Sequence, residues 1–347
     1  MSQPSKKIIF SILGLGIFLF IGFIFINIIL KSKPPSTNQA NDNLVKFPDQ
    51  DLEKTKKYFI ELALKENPRV ALLELAENMQ TDELLSRSCH GIIHEIGHES
   101  YNKYKDFAKA MSYSIDICIS GYTHGVIEAY FENISDIFSA MKEVCKPYPE
   151  EKNPAWNCYH GVGHGLMYWT GNNLPRALEL CDVYDSKFAK DNCANGVFME
   201  NFGADDVLHP SRFVSKENPA SSCVQEKTHK QECYLYAGKY YLTLIKEDYS
   251  KAFNWCKNID KNFIDSCIAG LGGEAIKNNL YIPLKAESIC DKAGSLKDIS
   301  TCIDGLIGLY IHHTASISDS HKLCNYFTEL NKSTCENGIK SREYLFK

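Results

Sequence analysis

The first pattern along the chain is an uninterrupted apolar run. Residues 8–30, IIFSILGLGIFLFIGFIFINIIL, carry no charge and are long enough to cross a bilayer as one helix. A cleavable signal peptide would have a shorter apolar stretch and a small-residue cleavage site, so the run reads as an uncleaved anchor. After a spacer containing PPSTNQANDN the pattern changes. Apolar phrases rich in small residues and free of proline alternate with loops and with short amphipathic runs such as ALELC (177–181), AFNWC (252–256) and AESIC (286–290). Such phrases predict helices packed closely on neighbours, each followed by a loop and a second, shorter helix.

The phrases form a series: CHGIIHEIGHESY, CISGYTHGVIEAYF, CYHGVGHGLMYW, CANGVFMENFG, CYLYAGKYYL, CIAGLGGEAI, CIDGLIGLYI and CENGIKSREYLF. Their opening cysteines recur every 29 to 40 residues, the self-similarity of a helical repeat array. The chain has 14 cysteines, all from Cys89 onward, an even count in regular spacing that predicts disulfides made outside the cytosol. From Cys145 the gaps alternate short and long, which couples Cys145 with Cys158, Cys181 with Cys193, Cys223 with Cys233, Cys256 with Cys267, Cys290 with Cys302 and Cys324 with Cys335. Each couple would staple the end of one helix to the start of the next, adding roughly 2–4 kcal/mol by closing a short loop. Cys89 and Cys118 stand outside the alternation, and either bond each other or remain thiols at helix starts.

The expected fold is therefore all-α: about eight disulfide-stapled helical hairpins after an N-terminal transmembrane helix. They would form an α-solenoid or, with Gly270, Gly273, Gly305 and Gly308 crowded around an axis, a closed α/α toroid. The chain divides into a cytoplasmic tail (1–7), the anchor (8–30), a linker (31–48) and an extracytoplasmic repeat domain (49–347). Lys6 and Lys7 balance Lys31 and Lys33 across the anchor, so orientation rests on the cysteines, which place the body outside.

The segment CYLYAGKYYLTLIKEDYSKAFNWC (233–256) resembles the disulfide-rich Sel1-like repeats, relatives of tetratricopeptide repeats. The resemblance spans about residues 193–335, with longer loops between paired cysteines and few of the family's turn glycines. It implies a solenoid that binds a protein or peptide partner on its concave face, and implies no catalysis.

Candidate chemistry lies in the histidines. Counted from the opening cysteine, His124 and His164 both stand at +6; the first repeat has its glycine one place early, at Gly91, and with that shift His94 takes the same place. One turn on stand His98, Glu128 and Tyr168, giving i, i+4 pairs on one helical face. His94, His98, His124, Glu128 and His164 are the expected ligands of a transition metal, zinc first, with iron, copper or manganese as alternatives. Histidines that merely pack are the competing reading, leaving a metal-free interaction scaffold. Later repeats carry Met199, Gly273 or Gly308 in the equivalent place, which confines the expected site to the first three repeats. His90 and His160 fall nearly a turn earlier, as a second layer of ligands or as helix caps, and His312 and His313 read as surface or packing residues.

His94-Glu95-Ile96-Gly97-His98 also resembles the H-E-x-x-H segment of zincin metallopeptidases. That resemblance implies a zinc-dependent hydrolase with Glu95 as general base and a third ligand from His124 or Glu128. Tyr101 and Tyr104 stand where an extended zincin signature would continue.

Charge removes one class of function. Lys+Arg 38 against Asp+Glu 43 gives a net charge of -5, and the excess of acid is greater still beyond the basic N-terminal segment. A body that acidic has no footprint for nucleic acid. The reading is a single-pass membrane protein with an extracytoplasmic helical-repeat body that binds a metal.

Overall fold

The computed structural model describes residues 52–203 and 211–347, all within one compact unit, Phe47–Lys347. The expected anchor at 8–30 lies outside the described residues; among those described, no helix is long and apolar enough to cross a membrane. Seventeen α-helices and no strand are found among the described residues. Two leading helices, α1 (Leu52–Lys65) and α2 (Pro68–Asn78), pack on α3 (Glu83–Tyr104). From α3 onward long and short helices alternate, as the repeating phrases require. The long members are α3, α5 (Gly121–Glu132), α7 (Asn153–Trp169), α9 (Lys187–Gly203), α11 (Lys230–Leu244), α13 (Ile264–Lys277), α15 (Leu296–Thr314) and α17 (Glu329–Lys340). The short ones are α4 (Phe107–Met111), α6 (Ile137–Val144), α8 (Leu174–Cys181), α10 (Ser221–Gln225), α12 (Tyr249–Lys257), α14 (Pro283–Cys290) and α16 (Ile317–Cys324).

Local chemistry sets where the short helices begin. Asp106, Asp136, Asn173, Asp248 and Ser316 each accept a hydrogen bond from the backbone N–H three residues on, satisfying one of the open donors at a helix start. Each short helix then turns one apolar stripe inward, as with Ile137, Met141 and Val144 of α6 or Ala252 and Phe253 of α12. Seven disulfides are present: Cys89–Cys118, Cys145–Cys158, Cys181–Cys193, Cys223–Cys233, Cys256–Cys267, Cys290–Cys302 and Cys324–Cys335. From Cys145 onward, each joins the end of a short helix to the first turns of the next long one.

The long helices stand side by side in chain order, and some approach until backbone meets backbone. A Cβ added at Gly125 of α5 would lie 1.9 Å from the His94 carbonyl oxygen of α3. One added at Gly196 of α9 would lie 1.9 Å from the His160 carbonyl oxygen of α7. No residue larger than glycine fits either contact.

The row also winds back on itself. Arg87 at the start of α3 donates to the Asn278 side chain just past α13, and the Tyr281 hydroxyl donates to the Asp82 carbonyl. The α15 helix lies against the turn Cys118–Ser120 that leads into α5. His312, near the end of α15, bonds Asn153 at the start of α7 (3.0 Å) and stacks on Trp156 with ring centroids 4.1 Å apart. Lys152, just before α7, reaches the carbonyl of Tyr344 beyond α17 (2.8 Å). In these contacts the tail of a later long helix meets the head of an earlier one. Repeats about five apart along the chain thus touch end to end.

Two expectations follow. Gly125→Ala forces α3 and α5 apart and lowers stability by about 3 kcal/mol or more, read as a fall in the denaturation midpoint. The second concerns His312, whose ring burial and then the nearby Arg342 lower its pKa from 6.5 to about 3. The unfolded chain binds that proton first, so the stability His312 contributes is complete above about pH 6.5 and is lost as pH falls toward 3. In chelator-treated protein, His312→Phe keeps a stacking ring and should lose less stability than wild type between pH 6.5 and 4.

Candidate metal centre

Five imidazoles meet where α3, α5 and α7 adjoin. His90 and His94 come from α3, His124 from α5, and His160 and His164 from α7; the last two are one turn apart on the same face. Gly125 draws α5 onto α3, and Gly161 does the same for α7 and α5, since a Cβ added there would lie 3.0 Å from the His124 ring. His124 lies with its ring centroid 4.9 Å from those of both His160 and His164, and 5.3 Å from that of His90.

Within this cluster His124, His160 and His164 can each turn a ring nitrogen toward one point, and His94, Glu128 and His164 form an adjoining second group. The His164 and His160 Nε2 atoms face each other at 3.2 Å. On its other side His164 Nδ1 donates to Glu200 of α9 at 2.8 Å. A neutral imidazole whose Nδ1 carries the proton has its lone pair on Nε2, so Glu200 orients His164 as a metal-ligating histidine is normally oriented.

His124 is the most telling residue. It is fully buried, and among the described residues neither ring nitrogen has a hydrogen-bond partner. Burial, then the neighbouring His164, His160 and His90, keep its pKa well below the ordinary value, so the ring is neutral. His160 is held neutral in the same way, by burial first and by His164 next. Neutral imidazoles with lone pairs aimed at a shared point are the form in which histidine binds a metal. A buried polar ring without a partner otherwise costs about 1–3 kcal/mol. The residues present therefore fit a transition-metal ion.

Glu128 is also fully buried and sits 2.8 Å from His94 Nε2 and 3.6 Å from His164 Nδ1, without an aligned hydrogen bond to either oxygen. For His94, burial opposes the charged form, but Glu128, together with Glu200 and Glu95, outweighs it and the pKa rises to about 9. His94 and Glu128 thus form a buried ion pair along one edge of the histidine cluster. His90 is the reverse case: burial and then His94 lower it to about 3, while its Nδ1 donates to the Cys118 carbonyl at 2.8 Å.

Of the five residues expected from the sequence, His94, His124, Glu128 and His164 come together. His98 does not join them; it faces Glu132 at 3.4 Å and Asn102 at 3.2 Å, on the next turn of α3. Glu95 pairs with Lys56 of α1 at 3.6 Å and is half exposed. The H-E-x-x-H geometry is thus not assembled: His94 and His98 go to different carboxylates, and the glutamate lies round the helix from both. Tyr168 stands near His98, ring centroids 6.5 Å apart, and not in the cluster. His160 is a central member that the repeat register alone did not select. Its signal was the spacing His160-x-x-x-His164 within one helix. His313 is buried and His312 is partly buried against Trp156, so both belong to the packing. No known protein family, curated protein or solved structure matches this chain.

The orphaned ring yields an expectation opposite to the usual core substitution. In chelator-treated protein, His124→Leu removes an unpartnered polar ring and should raise stability by about 1–3 kcal/mol in thermal or denaturant unfolding. The same variant should no longer be stabilised by added metal.

Proposed function

We propose that this chain is a membrane-anchored, extracytoplasmic repeat protein that binds a transition metal through His124, His160 and His164, with the His94–Glu128 pair beside them. The observation that carries the reading is His124, a neutral, fully buried imidazole whose two nitrogens have no partner among the described residues and which packs against two further histidines. Glu200 on His164 supports it, since a carboxylate behind a ligating histidine fixes the tautomer and raises the basicity of the ligand. Seven disulfides agree with a body folded in an oxidising compartment. The anchor at 8–30 and the placement of 49–347 outside the cytoplasm rest on the apolar run and the cysteines. A protein or peptide partner on the concave side, as the Sel1-like resemblance implies, belongs to the same reading. The hydrolytic alternative draws no support from the position of Glu95.

The test is metal analysis of the full chain, made in an oxidising compartment and purified in detergent without chelator or histidine tag. Near-stoichiometric metal is expected, with loss of that metal in the His124→Ala/His164→Ala double variant. Wild-type protein that carries no metal, and shows no thermal shift with zinc, copper, iron or manganese, overturns the proposal.

A further inference from the structure

The histidine cluster has a fourth neighbour of a different chemical kind. Met199 of α9 places its Sδ 3.3 Å from His160 Nε2, on the nitrogen that also faces His164 Nε2 at 3.2 Å. Nitrogen donors about 2.0–2.1 Å from a tetrahedral ion lie roughly 3.3 Å from one another, so both separations match the edges of a coordination shell. Met199 holds in the fourth repeat the place that His94, His124 and His164 hold in the first three, so the register continues with a thioether where an imidazole would be expected next. The adjacent residue on α9, Glu200, is the one bonded to His164. The Gly196 contact with the His160 carbonyl presses this helix against α7.

A packing role alone accounts poorly for that sulfur position. A core methionine normally sets its thioether among apolar groups or aromatic edges. Here it meets the polar edge of an imidazole that shares its site with two more. Three imidazoles and a thioether form a donor set without an anionic first ligand, and one donor is soft. Zinc sites ordinarily use thiolate, imidazole, carboxylate or water. Thioether sulfur favours cuprous copper, and imidazoles bind cupric copper more tightly than they bind zinc.

Resting on the metal-binding reading above, we propose that the ion is copper and that Met199 Sδ joins His124, His160 and His164 as its fourth ligand. On this proposal the ion is copper rather than zinc, and its ligands extend into the fourth repeat.

The experiment uses the full chain in detergent, freed of metal by chelator. Cuprous ion is kept reduced anaerobically with ascorbate rather than a thiol, so that the disulfides survive. Affinity for it is measured against a chromogenic cuprous chelator, and zinc affinity is measured separately. Met199→Leu is nearly volume-conserving and should leave the fold intact. It is expected to weaken cuprous binding by about tenfold or more while changing zinc binding by about twofold or less. X-ray absorption at the copper edge of the wild-type protein should show sulfur as well as nitrogen neighbours, and needs no variant to fold. Copper bound with nitrogen and oxygen alone, or equal effects of Met199→Leu on both ions, overturns the assignment of Met199 while leaving the histidine site standing. Wild-type protein that binds neither ion overturns the histidine site and this inference together.

Discussion

Backbone contact between neighbouring long helices is the constraint on which the other features of this molecule depend. Where Gly125 meets the His94 carbonyl and Gly196 meets that of His160, a single methyl group would collide at 1.9 Å. Helices at ordinary separation are spaced by side chains, with axes about 8–10 Å apart. Removing the side chain at the contact draws the helices together, and residues beside those glycines then point at one another across very short gaps. His124 precedes Gly125, and His160 and His164 bracket Gly161 and Gly163. The glycines that permit close packing therefore also concentrate imidazoles from α3, α5 and α7 in one dry volume.

That concentration works against stability in the metal-free chain. Buried histidines are held neutral far below their ordinary pKa, an unpartnered ring sits at the centre, and a buried carboxylate depends on the charge of His94. Unsatisfied polar groups in a folded interior persist where other interactions over-determine the position. Here the buried disulfides restrain each hairpin, and apolar residues of long and short helices together form three core clusters along the array.

The winding of the array adds a connection along its axis. Trp156 has His160 on one side, with ring centroids 5.0 Å apart, and His312 on the other at 4.1 Å. A candidate ligand histidine of the third repeat and a histidine of the seventh thus stack on the same indole, although they lie far apart in sequence.

Much of the architecture was legible in the sequence because it is local and periodic. Recurrence of the opening cysteines revealed the repeat, short gaps between cysteines revealed the couples, and the register of His94, His124 and His164 revealed a shared helical face. Those features need only a fixed rise per residue and a fixed period. Which donors converge is a matter of helix separation, rotation and side-chain direction, and these depend on contacts distant along the chain. His98 satisfies the same spacing as a ligand yet lies one turn too far along α3, where Glu132 takes it up. His160 enters the cluster because it lies one turn from His164 on the same face of α7, and Met199 because α9 meets α7 glycine to backbone. The sequence by itself determined a stapled helical repeat with histidines in phase. Only the tertiary structure decided which of them share a point, because convergence across separate helices is set by how closely their backbones can approach.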